Sequence, residues 1–217
     1  NRVTATGEGS YSHIVPRFKK LVKGRPGRDY YIRGTFTRDN LDFSRDVLHI
    51  AEEGFGSISV EPVIASAEEK YSLREEDLPQ IMSEYERLAK IMCKNNDFNF
   101  FHFNIDLEQG PCIIKRIRGC GAGCEYVAIT PEGDIYPCHQ FVGKPEYKMG
   151  NIHQGSFDEE LSKKFADINV FSRRKCGECW AKFWCSGGCS ASNLLAEGDI
   201  KTPNHIACEM EKKRLEC

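Results

Sequence analysis

The sequence predicts an α/β fold built on a parallel sheet, followed by a small cysteine-rich domain. Strand-like and helix-like segments alternate across residues 30–106, which is the pattern of a parallel sheet with crossover helices. All of the eleven cysteines except Cys93 lie after residue 111, where few apolar segments could form a core. This change in composition near Gly110-Pro111 predicts two domains, residues 1–110 and residues 111–217.

The first domain is predicted to contain three strands and three helices. Aromatic and β-branched residues mark the strands, at 30–37, 57–64 and 98–106. The third strand is apolar on both faces, which predicts burial on both. Helical spacing of apolar residues marks the helices, at 10–21, 42–54 and 75–95. Such alternation is typical of an α/β barrel or of an open parallel sheet.

The second domain is predicted to hold a hairpin and short helices between loops. Residues 126–138 form the hairpin, with its turn at a Pro-Glu-Gly sequence. One helix is predicted to begin near Phe157 and another near His205, while a third covers 191–197 and ends at Gly198. A region with so small a core usually needs a metal to stabilise it.

The composition excludes several classes of protein. Basic and acidic residues nearly balance, 30 against 32, so the chain has no basic excess for a nucleic-acid surface. No apolar run approaches the ~20 residues that span a bilayer, and nothing resembles a signal peptide. We therefore expect a cytoplasmic protein without membrane contact. In that reducing compartment, eleven cysteines indicate metal binding or catalysis rather than disulfides.

The spacing of the cysteines indicates metal centres. The motifs are Cys120-x3-Cys124-x13-Cys138 and Cys176-x2-Cys179-x5-Cys185-x3-Cys189-x18-Cys208. Thiolates select zinc or iron–sulfur clusters, so eight thiols suit either two four-iron clusters or two zinc ions. The spacing leaves zinc open. The aromatic and glycine-rich surroundings, and the lack of an HxxxH element, favour clusters shielded from water.

These motifs resemble the SPASM domain of radical S-adenosylmethionine (SAM) enzymes. The resemblance is carried by segments 131–138 (Pro-Glu-Gly-Asp-Ile-Tyr-Pro-Cys) and 185–189 (Cys-Ser-Gly-Gly-Cys). Further segments are similar to one branch, the thioether-forming maturases of six-cysteine ribosomal peptides (SCIFF maturases), at 31–37, 58–63, 119–123, 138–143 and 176–185. The resemblance spans essentially the whole chain. It implies that the first domain is the C-terminal half of a partial (β/α)6 radical SAM barrel.

The resemblance also implies the ligands of two auxiliary 4Fe-4S clusters. The first cluster would be held by Cys120, Cys138 and Cys189, with Cys124 either a fourth ligand or a bystander that leaves one iron open to a substrate thiol. The second would be held by Cys176, Cys179, Cys185 and Cys208. Outside both sets, we interpret Cys112 as a buried structural thiol, because cysteine is commonly buried. In sulfatase-maturing relatives an aspartate that acts as a base follows the hairpin cysteine, so His139 at that place counts against this activity.

One departure from the family is decisive for activity. The chain lacks the CxxxCxxC motif that binds the SAM-cleaving cluster. We therefore expect it to be inactive alone, and to need an N-terminal half of the enzyme together with SAM and a third 4Fe-4S cluster. Arg33 and Glu61 are polar residues within apolar strands, and the resemblance implies that they contact SAM. The alternatives are a surface position on a partly exposed strand and a mutual ion pair.

The function expected from the resemblance is the formation of sulfur-to-α-carbon thioether bonds in a cysteine-rich precursor peptide. A protein electron donor or acceptor would be a further partner. Three alternatives stay open: another SPASM peptide or protein maturase, a zinc-stapled binding module without redox activity, and an electron-transfer protein that carries two clusters. Bound iron and sulfide would separate the zinc module from the others.

Overall fold

The computed structural model describes residues 3–95, 97–107 and 112–217, so the predicted boundary at Gly110-Pro111 lies outside the described residues. The helices are α1 (Tyr11–Lys23), α2 (Phe43–Glu52), α3 (Leu78–Met92), α4 (Ile113–Arg118), α5 (Glu159–Ala166), α6 (Lys182–Cys185), α7 (Ser190–Glu197) and α8 (His205–Glu216). The strands are β1 (Ile32–Phe36), β2 (Ser57–Pro62), β3 (Asn99–Phe100), β4 (Ala128–Ile129), β5 (Asp134–Tyr136), β6 (Gly150–Asn151) and β7 (Ser156–Phe157). None of the helices within these ranges is long and apolar enough to cross a membrane.

The first three strands form a parallel sheet in the order β1-β2-β3. Residue Thr35 of β1 lies opposite Glu61 of β2, and Ile58 of β2 lies opposite Phe100 of β3. Helices α2 and α3 provide the crossovers that parallel pairing requires. The structure thus confirms the α/β arrangement that the alternation of elements predicts.

The third strand is much shorter than the predicted 98–106. Only Asn99–Phe100 is extended, and Phe101–Phe103 forms a 3-10 helix. The turn directs His102 inward, where its Nδ1 lies 3.0 Å from the Tyr85 hydroxyl and its Nε2 lies 2.7 Å from Glu61 Oε2. Phe101 is 49% exposed. The predicted length was therefore wrong, and so was the predicted burial of both faces, because two hydrogen bonds to one histidine replace strand pairing.

A large core fills the space between the parallel sheet and helices α2 and α3. Alternate residues of β2, Ile58 and Val60, enter this core, so Ser59 and Glu61 lie on the opposite face of the sheet. The buried members of the large core are Phe36, Phe43, Val47, Ile58, Val60, Leu78, Ile81, Tyr85, Leu88, Phe98, Phe100 and Met210.

The last helix, α8, packs back onto this large core. Met210 is only 6% exposed and belongs to it. Lys213 Nζ also lies 2.6 Å from Glu86 Oε1 of α3. Since Cys208 lies on the same helix, α8 joins the cysteine-rich region to the parallel sheet.

The cysteine-rich region contains an antiparallel sheet of four short strands, β4-β5-β6-β7. Strands β4 and β5 form the predicted hairpin, and Gly133 at its turn has φ +83°. A Cβ there would lie 2.5 Å from His153, so the turn needs glycine. The helix predicted near Phe157 begins at Glu159, after Asp158 accepts a hydrogen bond from the Leu161 N–H at 2.8 Å. A small core lies beneath, with Tyr136, Cys138, Phe141, Phe165, Ile168, Ala191 and Ile200 buried.

Candidate metal centres

Three cysteines from distant parts of the chain meet beside the hairpin. We call Cys120, Cys138 and Cys189, with the neighbouring Cys124, group I. Burial raises the pKa of the Cys138 thiol, the charges of Cys189 and Cys120 raise it further, and backbone N–H groups of Gln140 and Phe141 that donate to its sulfur lower it. Cys189 packs against the small core that contains Cys138, and the Tyr126 hydroxyl lies 3.9 Å from Cys120 Sγ. Cys138 is buried at the end of the hairpin, Cys189 caps α7, and Cys120 is exposed after α4.

Cys124 lies next to Cys120 in an exposed turn. Its S–H donates to the carbonyl oxygen of Gly121, with an Sγ–O distance of 3.4 Å. Burial raises the pKa of this thiol, and the charge of Arg118 partly offsets that effect. The thiol therefore hydrogen-bonds to the backbone of its own turn, and the charge of Cys120 also raises its pKa.

Tyr126 stands beside group I and was not expected from the sequence. Its hydroxyl donates toward Cys120 Sγ at 3.9 Å. Burial raises the pKa of Tyr126, and the charges of Cys120, Cys138 and Cys189 raise it further. The ring is still 44% exposed, so this side chain lies between group I and the solvent. The only hint in the sequence is its position six residues after Cys120.

The second set of thiols lines one cavity. We call Cys176, Cys179, Cys185 and Cys208 group II. All four line a cavity of about 390 Å³, together with Trp180. That volume is more than ten times the ~30 Å³ that one water occupies in the liquid. Burial raises the pKa of Cys185 to about 12 and that of Cys208 to about 11, and the neighbouring thiols contribute to both shifts.

A strained loop connects the two groups. Ser186, Gly187 and Gly188 follow one another with φ of 58°, 82° and 73°. At the step from helical Cys185 to left-handed Ser186, successive N–H groups turn toward one concavity, an arrangement common at iron–sulfur sites. The Gly187 N–H donates to the sulfur of Cys185, which lowers the pKa that burial raises. The loop thus holds Cys185 of group II and Cys189 of group I at fixed separation.

Both groups fit iron–sulfur centres in their donor chemistry. Both groups offer thiol sulfurs, backbone N–H groups donate to Cys138 and Cys185, and group II lines a cavity. Among the residues that the structure describes, no three His, Cys, Asp or Glu side chains are arranged to hold a metal ion.

The predicted SAM contacts, Arg33 and Glu61, lie on the face of the sheet away from the large core. Arg33 Nη2 is 3.7 Å from Glu61 Oε1, and the Arg33 side chain is 70% exposed. Glu61 also accepts a hydrogen bond from Ser59 Oγ at 2.6 Å and contacts His102 Nε2 at 2.7 Å. Burial alone would raise its pKa, but His102, Ser59 and Arg33 together lower it to about 2. One of the alternative interpretations, a mutual ion pair, is therefore present in the structure.

A second cavity, of about 160 Å³, joins the parallel sheet to both thiol groups. Glu61 and Tyr85 line it from the parallel-sheet region, and Cys189 and Cys208 line it from the cysteine-rich region. Glu211 also lines it and forms an ion pair with Arg214. Glu61 and members of both groups consequently face one internal space.

Cys112 is exposed, so its interpretation as a buried structural thiol was wrong. It precedes α4, a helix of six residues none of which is buried. Cys93 and Cys217 are exposed as well. The preference of cysteine for burial is an average, and the short helix that follows Cys112 offers no core to enter.

The cysteine-rich region matches a known domain family. Residues 120–180 match the SPASM family, an iron-sulfur cluster-binding domain. The chain is also 30% identical, over 100 residues, to an uncharacterized protein of Archaeoglobus fulgidus. That similarity covers 45% of this chain and 24% of the archaeal protein.

The fold is similar to that of anSMEcpe. Native anSMEcpe with bound AdoMet superposes with a TM-score of 0.71 at 17% identity, covering 100% of this chain and 61% of that one. The hexahistidine-tagged form with AdoMet gives 0.72 at 18% identity, and the native form with AdoMet and the Kp18Cys peptide gives 0.71 at 18%. They are covered to 59% and 62% of their length, and this chain to 100% in both. The chain therefore spans about three fifths of these proteins, and at this identity the likeness establishes the fold.

Proposed function

We propose that the chain is the C-terminal part of a radical SAM peptide maturase and holds two auxiliary 4Fe-4S clusters. The observation that carries the proposal is the arrangement of eight thiols into two neighbouring groups, inside and just beyond the segment that matches an iron–sulfur domain. In this proposal Cys120, Cys138 and Cys189 bind the first cluster. Group II binds the second.

The SAM-cleaving part of the reaction belongs elsewhere in the polypeptide. This chain has no CxxxCxxC motif, so we assign that motif, and the third 4Fe-4S cluster, to an N-terminal half. When bound there, SAM supplies a 5′-deoxyadenosyl radical that removes a hydrogen atom. Arg33 and Glu61 are proposed to contact SAM, since both lie on the sheet face away from the large core.

The reaction we propose is thioether formation in a cysteine-rich precursor peptide. The α-carbon of an acceptor residue loses its hydrogen atom to the radical, and a substrate cysteine sulfur bonds to that carbon. The S–H proton would leave to solvent, and clusters held by the two thiol groups would supply the route for the remaining electron to a protein electron carrier. Cys120 and Cys124 of group I are exposed beside Tyr126, so a peptide thiol could reach this side of the group, and a cluster bound there without Cys124 would offer that thiol a ligand position.

A different maturase reaction is the second candidate. Two of the structures with a similar fold are those of anSMEcpe, an anaerobic sulfatase maturase, with the bound peptides Kp18Cys and Cp18Cys. This favours a peptide substrate without specifying a cross-link. Against sulfatase maturation stands His139, which occupies the place of the aspartate that the family resemblance associates with that activity.

Mass spectrometry of a treated peptide separates these reactions. The full natural polypeptide, reconstituted anaerobically, is incubated with SAM, a reductant and a cysteine-rich precursor peptide. Each thioether lowers the peptide mass by two hydrogen atoms and makes one cysteine resistant to alkylation. An oxidised cysteine without a cross-link would support the second candidate. Cys208→Ala should abolish the cross-link and Cys93→Ala, which alters an exposed thiol outside both groups, should not.

A further inference from the structure

Arg173 is a buried arginine whose guanidinium is only partly hydrogen-bonded. The residue is 4% exposed. Its Nη1 donates to the carbonyl oxygen of Ile200 at 2.7 Å, and its Nη2 donates to Ser190 Oγ at 2.9 Å. In the described part of the chain its Nε has no hydrogen-bond partner and no contact with solvent. A buried donor without a partner destabilises the folded state, so some other interaction must favour a buried arginine at this position.

The guanidinium lies against the segment that connects the two thiol groups, because its Nη2 donates to Ser190, next to Cys189, and its Nε packs against Gly187, two residues after Cys185. It interacts electrostatically with Cys176 and Cys185 of group II and with Cys189 and Cys120 of group I. Lys212, in contrast, interacts with thiols of group II, Cys179 and Cys208. Arg173 therefore reaches both sets of sulfurs from one position.

The strained loop is built around this side chain. A Cβ on Gly187 would lie 2.7 Å from Arg173 Cδ and 2.8 Å from its Nε. Real Cβ atoms do not approach so closely, so glycine at this place lets the backbone close over the guanidinium. The same loop carries Cys185 and leads to Cys189. Arg173 is thus enclosed by the segment that connects the two groups.

A cation in this place needs a negative partner. Within the described ranges Arg173 forms no ion pair with an aspartate or glutamate. Burying an unpaired charge costs several kcal/mol, and arginine does not lose its proton in proteins. Thiolate-ligated clusters are anionic, and two of them side by side would supply the missing charge on both sides of the guanidinium.

We propose that Arg173 is a shared counter-cation that lies between two anionic iron–sulfur clusters and raises the reduction potential of both. The inference rests on the proposed two-cluster function. Since reduction adds negative charge to a cluster, a fixed positive charge nearby favours the reduced form. One side chain then tunes two centres, and its removal shifts both in the same direction.

The test compares Arg173→Gln with Arg174→Gln in the full natural polypeptide. Arg174 is the adjacent, exposed arginine, so its variant removes an equal charge at the surface. Potentials are measured by redox titration followed by electron paramagnetic resonance, and the auxiliary signals are those lost in Cys138→Ala and Cys208→Ala. We expect R173Q to shift both auxiliary clusters at least tenfold toward the oxidised form, which is ~59 mV for one electron. R174Q should leave the reduction potentials of both clusters unchanged.

Arg173→Lys separates charge from packing. It keeps the positive charge but loses the two guanidinium hydrogen bonds, so clusters near their native potentials in R173K support the proposal even where R173Q fails to assemble. Loss of clusters in both variants, native potentials in R173Q, or equal shifts in R173Q and R173K would each overturn it. Failure of the two-cluster function would show earlier, as wild-type protein without the auxiliary signals.

Discussion

Glu61 is the residue on which the polar interactions of the parallel sheet converge. It contacts Ser59, His102 and Arg33, and its pKa falls to about 2 from an ordinary value of 4.5. A carboxyl whose pKa is lowered by folding stabilises the folded state above its unfolded pKa. That contribution is lost as the pH falls toward 2.

Glu61→Gln should therefore destabilise the protein near neutral pH, by on the order of 1–3 kcal/mol in the free energy of unfolding. The difference from wild type should shrink once the pH falls below about 4.5. Urea unfolding at several pH values measures it, with the exposed Glu68→Gln as control. A constant difference at all pH values would show that the carboxylate charge is not responsible.

The buried thiols of group II predict that cluster assembly also depends on pH, because their pKa values are raised and not lowered. Burial raises the pKa of Cys185 to about 12 and of Cys208 to about 11, so both hold their protons near neutral pH. Metal ligation requires thiolates and must displace these protons. We expect the fraction of cluster formed at limiting iron and sulfide to rise as the pH is raised by about two units above neutral, read from the visible absorption. A pH-independent yield would contradict this account.

Single residues also show where prediction from sequence stops. The cysteine spacing indicated metal-binding thiols, because ligand chemistry restricts the residue type, and the family resemblance implied how they divide into two groups, which stays a prediction. Arg173, His102 and Tyr126 carry no such signal, since each acquires its role from neighbours distant in sequence: Arg173 from Ser190 and Ile200, for example. Cys112 was misplaced for the same reason, because burial depends on surroundings that a lone residue does not specify.

At the scale of elements, the loop Ser186-Gly187-Gly188 is the most constrained part of the candidate site. Gly187→Ala places a methyl group 2.7 Å from Arg173 Cδ at φ +82°. Both effects strain the loop, by about 1–3 kcal/mol for the backbone conformation alone. We expect G187A to retain less iron than wild type after anaerobic purification.

Gly177→Ala is the matched control for this variant. Gly177 lies in the same cysteine-rich segment, has ordinary backbone conformation, and a Cβ there would have nothing within 4 Å. Its iron content should equal that of wild type. Equal losses in G177A and G187A would mean that the segment tolerates no added methyl group anywhere, and the close approach to Arg173 would then explain nothing.

Helix α8 is the element that holds group II against the sheet. It presents Cys208 to the group II cavity and Met210 to the large core. Met210→Ala should destabilise the protein by about 2–5 kcal/mol, the usual range for deleting a buried methionine side chain. Hydrogen exchange should then quicken in α8 more than in α2, and Glu216→Ala, at the exposed end of the helix, should change neither. An equal increase of hydrogen exchange in α8 and α2 would contradict the claim that Met210 specifically holds α8 against the large core.

Prediction of the elements succeeded where the periodic pattern was long. The helices at 11–23, 78–92 and 205–216 follow the predicted segments, while β3 has two residues where nine were predicted. The run 98–106 looks like a strand because it is aromatic, yet hydrogen bonds from His102 to Tyr85 and Glu61 end the extension. The strands β6 and β7 have two residues each, too few for any alternation to be visible.

Across the whole molecule, the parallel-sheet region and the cysteine-rich region pack directly against each other. Met210 of the second region is buried in the large core of the first, and the 160 Å³ cavity has walls from both. This arrangement places Glu61 of the sheet and thiols of both groups around one space.

Metal analysis tests the central claim most directly. Iron, acid-labile sulfide and zinc are quantified in the anaerobically purified and reconstituted chain, beside its visible absorption spectrum. The account predicts about eight irons with matching sulfide, the content of two four-iron clusters, and a broad absorption that Cys138→Ala and Cys208→Ala each reduce by about half. Stoichiometric zinc in a colourless sample that persists after reconstitution would contradict it and leave a structural zinc module.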